Sequence, residues 1–148
     1  MRTTWLVIAA LALAACEGAS LPMSSVEADS AGKRFEPPAP GMAALYVYRT
    51  RAGNDATMTA GQRTLGTLQG RTWLRVDLPP GRQDVRCSIP AWPTINSLDV
   101  DLQAGDIVTV SATEAVTSMW SAACLLVNEP AGVAYPAIRA GARIKEVR

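Results

Sequence analysis

The chain has 148 residues, with 14 basic and 13 acidic side chains, no histidine and a net charge of +1. The lack of histidine excludes Ser-His-Asp and Cys-His nucleophile activation and every zinc site that needs a histidine ligand. Near-neutrality without a basic run argues against nucleic acid as a partner.

The first fifteen residues contain a short apolar run that follows one basic residue and ends just before a cysteine. Arg2 supplies a positive charge, residues 5–13 are wholly apolar, and the run closes with Leu13-Ala14-Ala15-Cys16. A membrane-spanning helix needs about 20 apolar residues, so this run is too short to be an anchor by itself. An ordinary cleaved signal with an incidental cysteine is the alternative. We expect residues 1–15 to be removed as a signal peptide.

Residues 13–16 resemble a lipobox, and that resemblance implies a diacylglyceryl thioether on Cys16, which becomes the first mature residue. Two or more acyl chains give a firm membrane anchor without a membrane span. Glu17 follows the cysteine where inner-membrane lipoproteins of enteric bacteria often carry Asp. We therefore expect a lipid-anchored protein of the cell envelope, in the outer membrane and facing the periplasm.

Residues 16–40 are rich in Ser, Ala and Pro and end in Pro37-Pro38-Ala39-Pro40. Few of them are suited to a core, and proline favours extended geometry. The sequence therefore predicts a lipidated flexible tether over 16–40, with a span of roughly 25 Å.

Residues 41–148 predict one all-β domain, a small antiparallel β-sandwich or barrel. Leu74, Val76 and Leu78 alternate with Arg75 and Asp77, as expected for a strand with one face in the core. Turn signals such as Pro79-Pro80-Gly81 recur every 8–12 residues or so between such runs. The predicted strands are 43–48, 57–59, 64–66, 74–78, 84–89, 98–102, 107–112 and 124–127. Of these, 43–48 and 124–127 are apolar on both faces and are predicted to be buried.

The C-terminal tail predicts one short helix over 134–140, opened by Pro136 and stopped by Gly141. Residues 143–147 would then form a last edge strand.

Two cysteines remain after Cys16, namely Cys87 and Cys124. Cys87 is in phase with the inward residues of its strand, and disulfides persist in an oxidising compartment. We expect one intramolecular disulfide between them. Two separately buried thiols or an intermolecular bridge are the alternatives.

Trp73 and Trp92 are the candidate binding residues. Trp73 is out of phase with the core residues of its strand, and Trp92 lies between Ala91 and Pro93 in a predicted loop. Exposed aromatic rings commonly contact sugars or partner proteins, although a tryptophan can equally cap the end of a sandwich. No catalytic residue, metal site or cofactor is predicted, and Asp99 and Asp101 are interpreted as the solvated face of a strand.

Several motifs resemble a bacterial lipoprotein family, domain of unknown function 2846. The matching motifs are Lys33-Arg34-Phe35, Pro37-Pro38, Gly41, 44–49, 65–68, 72–81 and Ala104-Gly105-Asp106. The resemblance covers about residues 33–113. It implies a small β-sandwich of the transthyretin or immunoglobulin-like type with no established activity.

These features predict a non-enzymatic accessory or interaction module of the cell envelope, held on the membrane through Cys16. The alternative is a module that binds a glycan such as peptidoglycan or polysaccharide. An inhibitor or chaperone-like subunit of a secretion machine is a third class. Coplanar exposed rings of Trp73 and Trp92 would favour sugar, and scattered rings would favour protein contact.

Overall fold

A computed structural model describes residues 21–90, 92, 95–119 and 121–147. The predicted signal peptide and Cys16 lie outside these residues. The elements are α1 (Val26–Gly32), β1 (Ala43–Arg49), β2 (Ala56–Ala60), β3 (Arg63–Leu68), β4 (Thr72–Leu78), β5 (Gly81–Ser88), β6 (Ile95–Leu102), β7 (Ile107–Ser118), β8 (Ser121–Asn128), α2 (Ala131–Ala140) and β9 (Ala142–Arg143).

The strands form two sheets that pack together as a sandwich. One sheet has five strands in the order β8-β7-β1-β4-β9, and the other has four in the order β3-β2-β5-β6. The predicted all-β sandwich with a short C-terminal helix is therefore confirmed. Most strand pairs are antiparallel, but β1 pairs with β7, and β4 with β9, in parallel.

Period-two alternation places the core as the sequence predicts. Leu74, Val76 and Leu78 on β4 are buried between the sheets, and so are Val85 and Cys87 on β5. Successive side chains of a strand point to opposite faces of the sheet, so the aliphatic residues alternate with polar ones that reach solvent.

β1 is buried along its whole length, as expected for a central strand covered on both faces. Leu45 and Val47 enter the sandwich core, whereas Tyr46 and Tyr48 belong to a second apolar cluster on the outer face of the five-stranded sheet. α2 contributes Ala134 and Ile138 to that cluster. The molecule thus has a third, partial layer outside the sandwich.

The prediction that residues 124–127 form a strand buried on both faces was wrong in part. They belong to β8, an edge strand, and Leu125 and Val127 are 48% and 47% exposed. Cys124 faces the core, but at this edge the opposite face of the strand remains open to solvent. A run of apolar residues does not reveal whether a strand is central or at an edge.

The helix and strand of the C-terminal tail also have boundaries that differ from the predicted ones. α2 begins at Ala131, one turn before the predicted start, with Pro130 as its N-cap and Pro136 inside it. Gly141 ends the helix, as predicted. The predicted last strand, 143–147, is replaced by the shorter β9, which spans only Ala142–Arg143.

The prediction of a flexible tether is wrong for residues 21–40, and residues 16–20 lie outside the described part of the chain. Within 21–40 the chain forms α1, and Met23 bridges Ile144. Phe35 is buried in the outer cluster. Composition did not predict these contacts, because a segment rich in small residues can pack closely on a sheet as readily as it can form a flexible tether.

Cys87 and Cys124 form a disulfide between the two sheets, with their Cα atoms 5.9 Å apart. Cys87 lies on β5 of the four-stranded sheet and Cys124 on β8 of the five-stranded sheet. This pairing agrees with the intramolecular bond that the sequence predicts.

Candidate functional site

Trp73, one of the two predicted contact residues, is fully buried. Its strand phase is as predicted, since the ring points away from the sandwich core. That outer face is covered by α1, however, and the ring of Trp73 lies against Gly32 and 5.7 Å from the ring of Tyr46. The guanidinium of Arg143 lies 5.4 Å from the centre of the Trp73 ring. The expectation of an exposed ring at this position was wrong.

Trp92, the other predicted contact residue, lies in a loop as expected but is half-buried. Its side chain packs against the sandwich core, and its backbone N–H donates to the carbonyl of Ile89 at 2.8 Å. The indole N–H is buried, and no hydrogen-bond partner for it occurs in the described part of the chain. The expectation of a freely exposed ring was wrong here as well. The two tryptophans belong to different clusters and share no exposed face.

The outer cluster is an aromatic layer that fixes residues 21–40 to the domain. Phe35 stacks on Tyr135 of α2 with ring centres 3.6 Å apart. The hydroxyl of Tyr46 donates to the carbonyl of Gly32 at 2.9 Å and accepts from Arg75 at 3.1 Å. Burial raises the pKa of Tyr46, and the positive charge and hydrogen bond of Arg75 partly oppose that rise. The hydroxyl therefore stays protonated and acts as a structural link between α1 and β1.

A polar cleft of about 400 Å³ lies beside this layer. Its arginines and carboxylates pair with one another: Arg63 with Glu146, and Arg75 with Asp77 at 3.2 Å. Arg143 also lines the cleft and donates to the carbonyl of Ala28 at 2.9 Å. Burial lowers the pKa of Arg143. The charges of this cleft largely satisfy one another, so it offers little net charge to a ligand.

One end of the sandwich carries the β7–β8 hairpin. We call it the hairpin end; it consists of that hairpin together with residues 50–55, Trp92 and Ile95. β7 pairs with β1 only over 107–111 and continues to Ser118 beside β8 alone. The hairpin therefore projects beyond the rest of its sheet.

Three large apolar side chains are exposed at the hairpin end. Val116 and Met119 lie on the β7–β8 hairpin and are 76% and 84% exposed. Ile95, the first residue of β6, is 64% exposed. Trp120, also at this turn, is outside the described residues. Exposed apolar residues scattered singly are normal on a monomer, whereas two large ones on the same projecting hairpin make that hairpin a candidate contact surface.

A buried ion pair supports the base of this hairpin. Arg49 on β1 donates to Glu114 on β7 at 2.9 Å, and their side chains are only 2% and 12% exposed. Asn54 donates to Glu114 through its backbone N–H at 2.8 Å and its side-chain amide at 2.7 Å. Burial by itself would raise the pKa of Glu114, but the hydrogen bonds from Asn54 and Arg49 and the charge of Arg49 lower it overall. The ionised carboxylate joins β7, β1 and the 50–55 loop.

Sequence reasoning missed these hairpin residues. Glu114 is in phase with Val110 and Ala112, which face the sandwich core, and a charge at such a position is a usable signal of a buried pair. Val116 and Met119 carry no such signal, because the hairpin turn has no glycine, proline or asparagine to mark it.

No group of three or more Cys, Asp or Glu residues that could hold a metal ion occurs in the ranges that the structure describes. Within those same ranges, no helix is both long enough and apolar enough to cross a bilayer. No protein-family model matches the chain, and no curated protein is significantly similar to it.

Proposed function

We propose that the chain is a membrane-anchored, periplasm-facing lipoprotein that acts as a non-enzymatic interaction module of the cell envelope, with a protein partner at its hairpin end. The observation that carries the proposal is the exposure of Val116, Met119 and Ile95 at one end of the sandwich. Methionine is enriched in protein interfaces, where its flexible side chain adapts to the partner surface.

The rigid support of the hairpin favours the same function. Contact residues on a projecting hairpin lose less entropy on binding when its base is already fixed. The Arg49–Glu114 pair and the loop bonds of Asn54 fix it here. The lipid anchor rests on Leu13-Ala14-Ala15-Cys16. The resemblance of about residues 33–113 to the lipoprotein family domain of unknown function 2846 agrees with it.

The glycan alternative depends on exposed aromatic rings. Trp73 is buried and Trp92 is packed against the core, so neither provides a free ring face for a sugar. Protein contact is therefore the better-supported of the two proposals.

Photo-crosslinking in cells tests the proposed function. A benzoylphenylalanine at position 119, on the hairpin, should give a discrete adduct with one envelope protein. The matched control carries the same group at position 133, where Val133 on α2 is also exposed (54%) but lies away from the hairpin end. An adduct at both positions, or at neither, would contradict a specific partner at the hairpin. Intact mass of the mature protein tests the anchor, and an unmodified Cys16 would refute it.

A further inference from the structure

The start of the described chain is held at one edge of the sandwich. Met23 bridges Ile144, the backbone N–H of Ser24 donates to the carbonyl of Arg143 at 2.9 Å, and that of Lys145 donates to Pro22 at 2.6 Å. Residues 21–24 thus extend the five-stranded sheet beyond β9. We call the surface formed by residues 21–26 and 142–147 the β9 edge.

This attachment leaves a short connection to the lipidation site. Only four residues lie between Cys16 and Leu21, which makes five Cα-to-Cα steps. A fully extended chain spans at most about 3.6 Å per residue, so the β9 edge lies within about 18 Å of the Cα of Cys16. If Cys16 carries acyl chains in the bilayer, the domain cannot stand off at the distance that a tether ending at Pro40 would allow.

The β9 edge also exposes apolar side chains. Met23 is 47% exposed, Val26 is 76% exposed and Val147 is 46% exposed. Because 23 pairs with 144 in an antiparallel bridge, Val26 and Val147 lie on opposite sides of that bridge along the edge. The backbone N–H of Val147 donates to Leu65 of β3 at 3.0 Å, so the strip reaches the second sheet.

We propose that the β9 edge rests on the phospholipid bilayer, with Met23, Val26 and Val147 at the level of the headgroups; this inference rests on the proposed lipidation of Cys16. The charged side chains in and beside the strip are Glu27, Arg143, Lys145 and the Arg63–Glu146 ion pair. Together they carry a single net positive charge, so charge contributes little to the contact. A short linker supplies a high effective concentration, and a weak apolar contact then suffices.

The sheet order places the hairpin away from this surface. β9 and β8 are opposite edges of the five-stranded sheet, four strand spacings apart. At about 4.8 Å per spacing, the two edges are separated by roughly 19 Å. With the β9 edge on lipid, β8 and its hairpin face the periplasm, where a partner can reach them.

The test uses the full mature protein, extracted with its lipid and reconstituted into vesicles of phosphatidylethanolamine and phosphatidylglycerol. A small fraction of the phospholipid carries a diazirine next to the headgroup. After irradiation, peptide mapping by mass spectrometry should find adducts within residues 21–33 and 144–147. Met23→Ser/Val26→Ser/Val147→Ser should lose most of these adducts. The matched control, Ile95→Ser/Val116→Ser/Met119→Ser, should keep them.

A second variant tests the same orientation without changing any residue of the β9 edge. Fifteen Gly and Ser residues inserted after Ser20 lengthen the connection between Cys16 and Leu21 from five Cα-to-Cα steps to 20. Effective concentration falls roughly as the −3/2 power of linker length, so adducts at the β9 edge should fall about eightfold. Unchanged adducts in this variant, or adducts of the unmodified protein concentrated on the hairpin end, would overturn the orientation while leaving the anchor intact. Intact mass measured before reconstitution separates that failure from failure of the anchor, since an unlipidated Cys16 overturns both proposals.

Discussion

The ring of Trp73 occupies the space next to the Cα of Gly32, so that a Cβ at position 32 would clash with the far edge of the indole. Gly32 is the last residue of α1 and Trp73 lies on β4. The lack of a side chain at this position is what lets the helix lie flat on the outer face of the sheet. Close approach of this kind is a common reason for a buried glycine.

We expect Gly32→Ala to lower the free energy of unfolding by about 1–3 kcal/mol, because the added methyl overpacks a rigid, buried ring. The matched control is Gly132→Ala in α2, where the Cβ would meet no atom within 4 Å. That change should be neutral or should stabilise by up to about 1 kcal/mol through helix propensity. Urea unfolding of both variants at one temperature measures the difference. Equal effects of the two changes would show that α1 does not rest on Trp73.

The alternation in β4 and β5 could be predicted because each strand has one face in the sandwich core and a more polar opposite face. Leu74 and Val85 were placed correctly for this reason. The outer aromatic layer could not be predicted in this way, because Phe35 is the one aromatic residue in a stretch rich in Ser, Ala and Pro. The only local signs of α1 are Ser25, whose hydroxyl accepts from the N–H of Ala28 at 3.2 Å, and acidic residues in its first turn.

The site was harder to predict than the fold for a related reason. Strand phase correctly predicted that the side chain of Trp73 points away from the sandwich core. It carries no information on whether a helix covers the other face of the sheet. The exposure of Leu125 and Val127 has the same origin, because an edge position is a property of the sheet and not of the strand. Which side chains are exposed therefore depends on the order of elements in three dimensions.

The disulfide should make a large contribution to stability. The cysteines are separated by 37 positions in the sequence, and closing a loop of that size contributes about 3–4 kcal/mol in the chain-entropy model. We expect reduction of the wild-type protein, and the double variant Cys87→Ala/Cys124→Ala, to lower the free energy of unfolding by that order. The double variant should then be insensitive to reductant. Thiol titration of the denatured, unreduced mature protein should find no free thiol, and two titratable thiols would disprove the bond.

Glu114 should make stability depend on pH in the acid range. Its pKa in the folded protein is lowered overall, because hydrogen bonds from Asn54 and Arg49 outweigh the effect of burial. The stabilisation is therefore complete above the ordinary carboxyl pKa, about 4.3, and is lost as the pH falls through the lowered folded value. Glu114→Gln leaves the charge of Arg49 buried without a counter-charge, so we expect a loss of about 3 kcal/mol at pH 7.

The difference between wild type and Glu114→Gln should shrink steadily below about pH 4, as the wild-type carboxylate takes up a proton. Urea unfolding of both proteins between pH 3 and pH 7 measures this difference in the free energy of unfolding. Glu36→Gln is the matched control, because Glu36 also pairs with an arginine but on the open surface, where both side chains are more than half exposed. It should show no comparable loss. A pH-independent difference for Glu114→Gln would contradict an electrostatic role.

Trp92 provides the test that separates a core residue from a contact residue. Its side chain packs against the sandwich core, so we expect Trp92→Ala to lower the free energy of unfolding by about 2 kcal/mol, less than for a fully buried ring. Trp92→Phe keeps the apolar ring and removes a buried indole N–H for which the described residues supply no partner, and it should cost little. Thermal and urea unfolding compare the three proteins. If Trp92→Ala were as stable as wild type but lost the crosslink from position 119, the ring would belong to the contact surface and the core assignment would fail.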